Sequence, residues 1–154
     1  MRLTLTALAM SAMTISLVAA PVPKEKEKVK DEDAIQGTWQ VESFDMGGAR
    51  GGPPPGEIAK MQLIFKDGKV AAVRAGQREK DELDYKIDAT TKPKWLDLVE
   101  HGRPMLAIYE LDGDTLKFCM AEGKDSVRPT EMKPDGKNVA VITLKRVKDE
   151  KKDK

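Results

Sequence analysis

The sequence predicts an all-β domain, an eight-stranded antiparallel up-and-down β-barrel in which each strand pairs with the next along the chain. After an N-terminal apolar run, eight short segments alternate apolar with polar residues or are rich in β-branched ones. Short turns rich in Gly, Asp and Pro separate most of them, and no helical stripe of ten or more residues interrupts them. Eight sequential antiparallel strands leave two open edges unless the sheet closes, which favours a barrel over the alternative, a β-sandwich.

Turn signals mark the boundaries of the strands. Asp67-Gly68 separates the second segment from the third, and an Asp-Gly pair supplies the positive φ values that a tight hairpin needs. Asp112-Gly113-Asp114 separates the sixth from the seventh in the same way, and Pro93 limits where the fifth begins. The eight predicted strands cover residues 37–44, 61–65, 70–75, 83–88, 94–99, 106–111, 115–120 and 138–147.

Two further features concern the surface of this barrel. Residues 106–111 and 139–144 are apolar on both faces, so the outside of the barrel needs a cover there. A short helix around 57–61 or a packed linker would supply it. The Gly- and Pro-rich segment 46–56 cannot be helix or strand and predicts a long loop, which is either a lid over the open end of the barrel or a tolerated surface insertion.

The 154-residue chain divides into one domain and charged extensions. Residues 1–20 predict a secretory signal peptide, because Arg2 precedes an apolar run that ends in the small residues Ala19-Ala20. The run is too short and too rich in hydroxyl groups for a membrane anchor. We therefore expect an exported chain, periplasmic or extracellular, with no transmembrane span after processing. The remaining parts are a charged linker over 21–34, the barrel domain over 35–147 and a charged C-terminal tail over 148–154.

Composition argues against several functional classes. The chain carries 27 basic and 26 acidic residues and becomes neutral once Arg2 leaves with the signal peptide, so it lacks the basic footprint of a nucleic-acid-binding protein. One Cys and one His build neither a disulfide framework nor a His/Cys zinc site within one chain. No Ser/His/Asp arrangement and no phosphate-binding Gly pattern is identifiable. We expect no catalysis, no cofactor, no resident metal and a monomeric chain.

Three features would carry chemistry in another setting. Asp112 and Asp114 offer two carboxylates, whereas Ca²⁺ takes about 6 to 8 oxygen ligands, so we expect a hairpin turn there. His101 would suit a general base or a haem ligand, but no partner motif accompanies it and we expect an exposed loop residue. Cys119 has no basic neighbour in sequence that would activate the thiol, so we expect an inert strand residue rather than a reactive one.

Several motifs in fixed order resemble known proteins. Gly37-Thr38-Trp39 on the first strand and Arg146 on the last resemble the Gly-x-Trp and distal Arg of lipocalin-like barrels. That resemblance implies that Gly37, Trp39 and Arg146 close one barrel end, with the Arg packed over the indole for roughly 1 to 2 kcal/mol. The fuller set is Gln36-Gly37-Thr38-Trp39, Pro93-Lys94-Trp95-Leu96-Asp97, Ile108-Tyr109-Glu110-Leu111-Asp112-Gly113-Asp114-Thr115-Leu116, Arg128-Pro129-Thr130-Glu131 and Leu144-Lys145-Arg146. Together these motifs resemble an uncharacterised, exported, lipocalin-like domain family described from planctomycetes, which implies a fold and export but no activity.

Three residues are candidates for ligand binding. Arg128 is held by Pro129 beside a carboxylate, an arrangement that would grip an anionic ligand in a bidentate way. The alternative, which we favour, is a salt bridge within the loop or a clamp on a backbone carbonyl that ties down the connection before the last strand. Tyr85 and Tyr109, on the fourth and sixth strands, complete the candidate set.

The strand count, the closing residues and the Gly/Pro loop together predict a binding protein. An eight-stranded barrel is just wide enough to be filled by side chains or to hold one small ligand. The predicted function is that an exported lipocalin-like domain binds a small apolar or amphipathic molecule. The alternative is a non-catalytic protein-interaction module of the cell envelope, with a filled barrel and the charged tails as tethers.

Overall fold

Eight antiparallel strands close into a barrel in which each strand pairs with its neighbours in sequence and β8 pairs with β1. The computed structural model describes residues 30–48, 52–121, 123 and 127–148. Its elements are α1 (Asp31–Ala34), β1 (Gly37–Asp45), α2 (Pro55–Ile58), β2 (Met61–Lys66), β3 (Lys69–Arg74), β4 (Gln77–Asp88), β5 (Lys94–Glu100), β6 (Arg103–Asp112), β7 (Thr115–Ala121) and β8 (Val139–Arg146). The predicted fold class, an eight-stranded antiparallel up-and-down β-barrel, is confirmed.

The extensions of the chain are described only in part. The predicted signal peptide over 1–20 lies outside the described residues, as do linker residues 21–29 and tail residues 149–154. Within the linker, Asp31–Ala34 forms α1, which lies directly before the start of the barrel. The end of the linker therefore belongs to the folded part of the chain.

Two tight turns lie where the sequence places turn residues, whereas the β3–β4 turn contains Ala75, which the sequence predicts as the end of the third strand. Asp67 and Gly68 have φ values of 50° and 77° and join β2 to β3. Gly113, with a φ of 54°, lies in the turn between β6 and β7. These positive φ values match the twist of the flanking strands, as two-residue hairpin turns require. Local turn chemistry therefore sets which strands become neighbours.

β4 departs most from its predicted bounds. The predicted strand begins at residue 83, whereas β4 begins at Gln77, which pairs with Arg74 of β3. Residues 77–82 contain no apolar side chain, so the alternation of apolar and polar residues cannot indicate a strand there. Backbone pairing with β3 extends the strand, and it carries charged side chains to the end of the barrel where β3 turns into β4.

Inward-facing side chains fill one end of the barrel, which we call the closed end; it contains the start of β1 and the end of β8. Trp39, Phe65, Leu96, Tyr109 and Leu144 are at most 1 % exposed, and they come from five different strands. Burial of each such side chain contributes roughly 1.5 to 3 kcal/mol relative to exposure. We call the opposite end, with the β3–β4 and β5–β6 hairpins, the open end.

The apolar outer surface of β6 and β7 has a cover. Ile108 and Cys119 lie opposite each other on these strands and are 1 % and 0 % exposed. Residues 127–138, which belong to the connection before β8, lie on this surface. Cys119 Sγ is 3.8 Å from the carbonyl oxygen of Lys133, and Arg128 binds a carbonyl oxygen of β6. The other candidate cover, the short helix α2, packs against β1 instead.

Candidate functional site

Arg146 binds the segment of chain that enters the barrel. Its guanidinium carbon lies 4.2 Å from the centre of the Trp39 ring. Its Nη1 donates a hydrogen bond to the carbonyl oxygen of Gln36 at 2.7 Å, and its Nη2 donates to that of Ala34. Trp39 Nε1 donates to the carbonyl oxygen of Ile35 at 2.8 Å. Backbone carbonyls that would otherwise be left without donors at the closed end are thus satisfied by two side chains.

Gly37 leaves room for the guanidinium group of Arg146 to reach the backbone before β1. A Cβ atom at this position would lie 2.9 Å from Nη1 of Arg146, and the φ of Gly37 is +121°, which side-chain-bearing residues rarely adopt. The structure therefore brings Gly37, Trp39 and Arg146 into one cluster at the closed end of the barrel.

Tyr109 also belongs to the closed end. Its hydroxyl donates a hydrogen bond to Oδ2 of Asp31 at 2.7 Å, and Lys94 Nζ lies 2.6 Å from the same oxygen. Burial raises the pKa of Tyr109, and the hydrogen bond to Asp31 raises it further. Tyr109 therefore joins α1 to β6, Lys94 joins it to β5, and the tyrosine hydroxyl is engaged within the protein.

An interior cavity of about 190 Å³ lies between β2, β3, β4 and β5. Its apolar wall consists of six inward-facing side chains, Leu63, Phe65, Val70, Ala72, Leu83 and Leu98. Its remaining lining residues are the carboxylates of Glu79, Asp81 and Glu100. The cavity is therefore apolar toward the middle of the barrel and acidic toward the open end.

The three carboxylates lie on the same faces of β4 and β5 as the apolar lining residues of these strands. Side chains on a strand alternate between its two faces, so Glu79 and Asp81 share a face with Leu83, and Glu100 shares one with Leu98. Counting back by twos from Leu83 is the sequence signal that would have found the pair on β4. Glu79 and Asp81 are absent from the predicted site because the strand predicted from the sequence begins at residue 83.

Charge at the open end is only partly balanced. Glu79 forms an ion pair with Arg74 at 3.5 Å, and both side chains are about half exposed. Among the ion pairs of the described residues, none involves Asp81 or Glu100, and the lining contains no Lys, Arg or His. Arg103 lies opposite Glu100 on the same face of the β5–β6 pair, so three carboxylates and two guanidinium groups leave an excess of negative charge at the mouth of the cavity.

Tyr85 packs against Phe65, one of the residues that line the cavity. Its ring packs edge-on against Phe65, with ring centres 5.1 Å apart at an interplanar angle of 80°. Burial raises the pKa of Tyr85, so the hydroxyl is neutral at physiological pH. Tyr85 does not itself line the cavity, but it holds Phe65, which does.

Arg128 lies on the outside of the barrel. Its Nη1 donates to the carbonyl oxygen of Ala107 at 2.6 Å and is 2.6 Å from Oδ1 of Asp97, while its guanidinium carbon lies 4.4 Å from the centre of the Trp95 ring. The interaction is a clamp on a backbone carbonyl, one of the two alternatives that we favoured, and the ion pair reaches β5 rather than the loop itself. The three candidate ligand-binding residues thus occupy three separate places.

The other candidate positions have ordinary surroundings. His101 is exposed, with a φ of 48°, in the β5–β6 hairpin. Asp114 forms ion pairs with Lys148 and Arg146, and its hydrogen bond to Lys148 lowers the pKa of that carboxyl. Burial raises the pKa of the Cys119 thiol. Within the parts of the chain that the structure describes, no group of three His, Cys, Asp or Glu side chains is placed to hold a metal ion.

Fold and cavity together define the class: a closed eight-stranded antiparallel β-barrel with one sealed end and a small interior cavity beside the other. Searches of protein-family models, of curated proteins and of solved structures found no match to this chain. None of the helices that the structure describes is long and apolar enough to cross a membrane.

Proposed function

We propose that this protein is an exported, lipocalin-like barrel that binds a small apolar or amphipathic molecule in the cavity between β2 and β5. The observation that carries the proposal is the cavity itself, which is about 190 Å³ in volume and has six apolar side chains in its wall. Sites for drug-sized ligands span roughly 300 to 1,000 Å³, whereas an apolar cavity of about 150 Å³ takes up benzene. The ligand is therefore small, with one ring or a chain of about six carbon atoms.

The wall of the cavity is organised before any ligand arrives. Phe65 is 1 % exposed and is held by Tyr85, so its ring keeps its place without a ligand. Val70 is 4 % exposed and Leu98 is 6 % exposed, and both project from strands paired on each side. Burying about 200 Å² of apolar ligand surface stabilises a complex by about 5 kcal/mol before the cost of association. We expect dissociation constants between micromolar and millimolar.

Titration with small neutral probes tests the proposal. Benzene and 1-hexanol are added to the protein while the methyl resonances of Leu83 and Leu98 are followed by NMR, and saturable shifts are expected. Ala72→Phe places a ring in the cavity and should abolish the shifts. Val73→Phe adds the same ring to the outward face of β3 and is the matched control. Absence of saturable binding, or equal binding by Ala72→Phe, would overturn the proposal; thermal unfolding shows that each variant is folded.

A second candidate function is a protein-interaction module of the cell envelope. The observation that favours it is Trp95, which is 41 % exposed on the outer face of β5. Exposed Trp side chains are common anchors of protein interfaces. The discriminating experiment is isolation of the native protein at low salt. A partner protein retained by wild type and Ala72→Phe but lost by Trp95→Ala would favour this function, and a co-purifying small molecule lost by Ala72→Phe would favour the first.

A further inference from the structure

We propose that the ligand is a small cationic amphiphile, an alkylamine or arylalkylamine whose ammonium group binds at Asp81 and Glu100 while its apolar part occupies the cavity. This inference rests on the proposed function and names its ligand class. Its basis is the lining of this cavity. The apolar wall accommodates a hydrocarbon body, and the inward-facing carboxylates at the mouth are positioned for the opposite end of the same molecule.

The strand register sets the spacing of the two carboxylates. Asp84 of β4 pairs with Val99 of β5, which places Glu100 level with Leu83 on the inner face. Asp81 is two residues beyond Leu83 on β4, where the pairing of β4 with β3 shifts register, and it lines the cavity together with Glu100. One ammonium group has three N–H donors and can therefore bind both carboxylates together.

Charge complementarity selects a cation over the other amphiphiles. Arg74 pairs with Glu79, and Arg103 lies opposite Glu100 on the same face of the β5–β6 pair, so the three lining carboxylates face two guanidinium groups and the mouth has an excess of negative charge. A fatty acid of the same length would bring a fourth carboxylate to this mouth and is repelled. A neutral alcohol fills the apolar wall but gains no ion pair. The expected order of affinity is amine, then alcohol, then carboxylate.

The size of the cavity limits the apolar part. About 190 Å³ holds a single ring or a chain of about six carbons, and a longer chain would have to extend past the carboxylates into solvent. The strongest binding is thus expected when the distance from the ammonium group to the end of the hydrocarbon matches the depth of the cavity, as in 1-hexylamine or phenethylamine.

The test compares three probes that share one hydrocarbon chain. 1-Hexylamine, 1-hexanol and hexanoate are titrated into the protein at pH 7 and low salt, with the Leu83 and Leu98 methyl resonances as the readout. We expect the amine to bind about tenfold more tightly than the alcohol and the carboxylate to bind most weakly. Raising the salt concentration should weaken the amine alone, because ion pairs at an exposed mouth are screened.

Two double variants test the proposed ligand class separately from the proposed binding function. The double variant Asp81→Asn/Glu100→Gln should bring the amine and the alcohol to the same affinity. Glu82→Gln/Asp84→Asn removes the same charge from the outer face of β4 and should keep the tenfold preference. Equal affinities of amine and alcohol for wild type, or a preference that survives the inner double variant, would overturn the ligand class while leaving the proposed function intact. Failure of all three probes and of benzene would overturn the proposed function.

Discussion

Two arginine–tryptophan stacks with nearly the same geometry have different consequences in this molecule. Arg146 lies 4.2 Å from the ring centre of Trp39, and Arg128 lies 4.4 Å from that of Trp95. Trp39 is fully buried, whereas Trp95 is 41 % exposed. The stack alone therefore does not define a role.

The difference lies in what else each guanidinium binds. Arg146 donates to two carbonyl oxygens of the segment before β1, so it joins the first and last parts of the barrel. Arg128 donates to one carbonyl oxygen of β6 and pairs with Asp97, so it fastens the covering segment 127–138 to an already closed sheet. We therefore expect loss of Arg146 to open one end of the barrel and loss of Arg128 to loosen a surface segment.

The largest effect is expected for Arg146→Met. Hydrogen bonds to a charged donor are worth roughly 1.5 to 3 kcal/mol each, and two of them are lost together with the stack on Trp39. The free energy of unfolding, measured by urea denaturation, should fall by about 4 kcal/mol. Arg103→Met, at an exposed position in β6, is the control and should change it by less than about 0.5 kcal/mol. Equal losses in both variants would contradict the sealing role of Arg146.

Arg128→Met is expected to cost about 2 kcal/mol, since one carbonyl hydrogen bond and a partly exposed ion pair are lost. The local effect is more informative. The covering segment should detach from Cys119, so its thiol should react with a disulfide reagent at least tenfold faster than in wild type. Arg146→Met, studied under conditions where it is still folded, should leave this rate closer to the wild-type value. A thiol that stays unreactive in Arg128→Met would show that other contacts hold the cover.

Gly37→Ala is expected to lower the free energy of unfolding by about 2 kcal/mol, because Ala is strained at a φ of +121° and its Cβ would lie 2.9 Å from Arg146 Nη1. Gly76→Ala also requires a positive φ but meets nothing within 4 Å, so it should cost about 1 kcal/mol. In an Arg146→Met background the two alanine variants should become more nearly equal. If the two losses of unfolding free energy differ as much in the Arg146→Met background as in wild type, the larger loss for Gly37→Ala comes from backbone strain and not from the contact with Arg146.

The smallest effect concerns Tyr109→Phe, which removes one hydrogen bond to Asp31 and should cost about 1 kcal/mol at pH 7. The pKa of Tyr109 is raised on folding, so its contribution is complete below the ordinary tyrosine pKa of about 10 and is lost as the pH rises above that value. The stability difference between wild type and Tyr109→Phe should therefore narrow above about pH 10. A difference that stays constant between pH 8 and pH 11 would contradict the assigned cause.

Prediction from sequence succeeded where the signal is local. Asp67 and Gly68 form a turn because their own backbone preferences require one, and β5 alternates because Leu96 and Leu98 face the core while Trp95 does not. It failed on the first half of β4, where residues 77–82 carry no apolar side chain to mark the inner face. That half supplies Glu79 and Asp81, so the missed element is also the one that completes the candidate site.

The sequence by itself determined the number of strands, their order and the positions of the β2–β3 and β6–β7 turns, because alternation and turn chemistry act between residues close together in the chain. Only the tertiary structure decided that Tyr85, Tyr109 and Arg128 lie apart, that residues 127–138 cover the outer face, and that Glu79, Asp81 and Glu100 converge on one cavity. A cavity is the space left after side chains from several strands have packed. Its shape and charge therefore depend on residues that are distant in sequence, and no single segment contains that information.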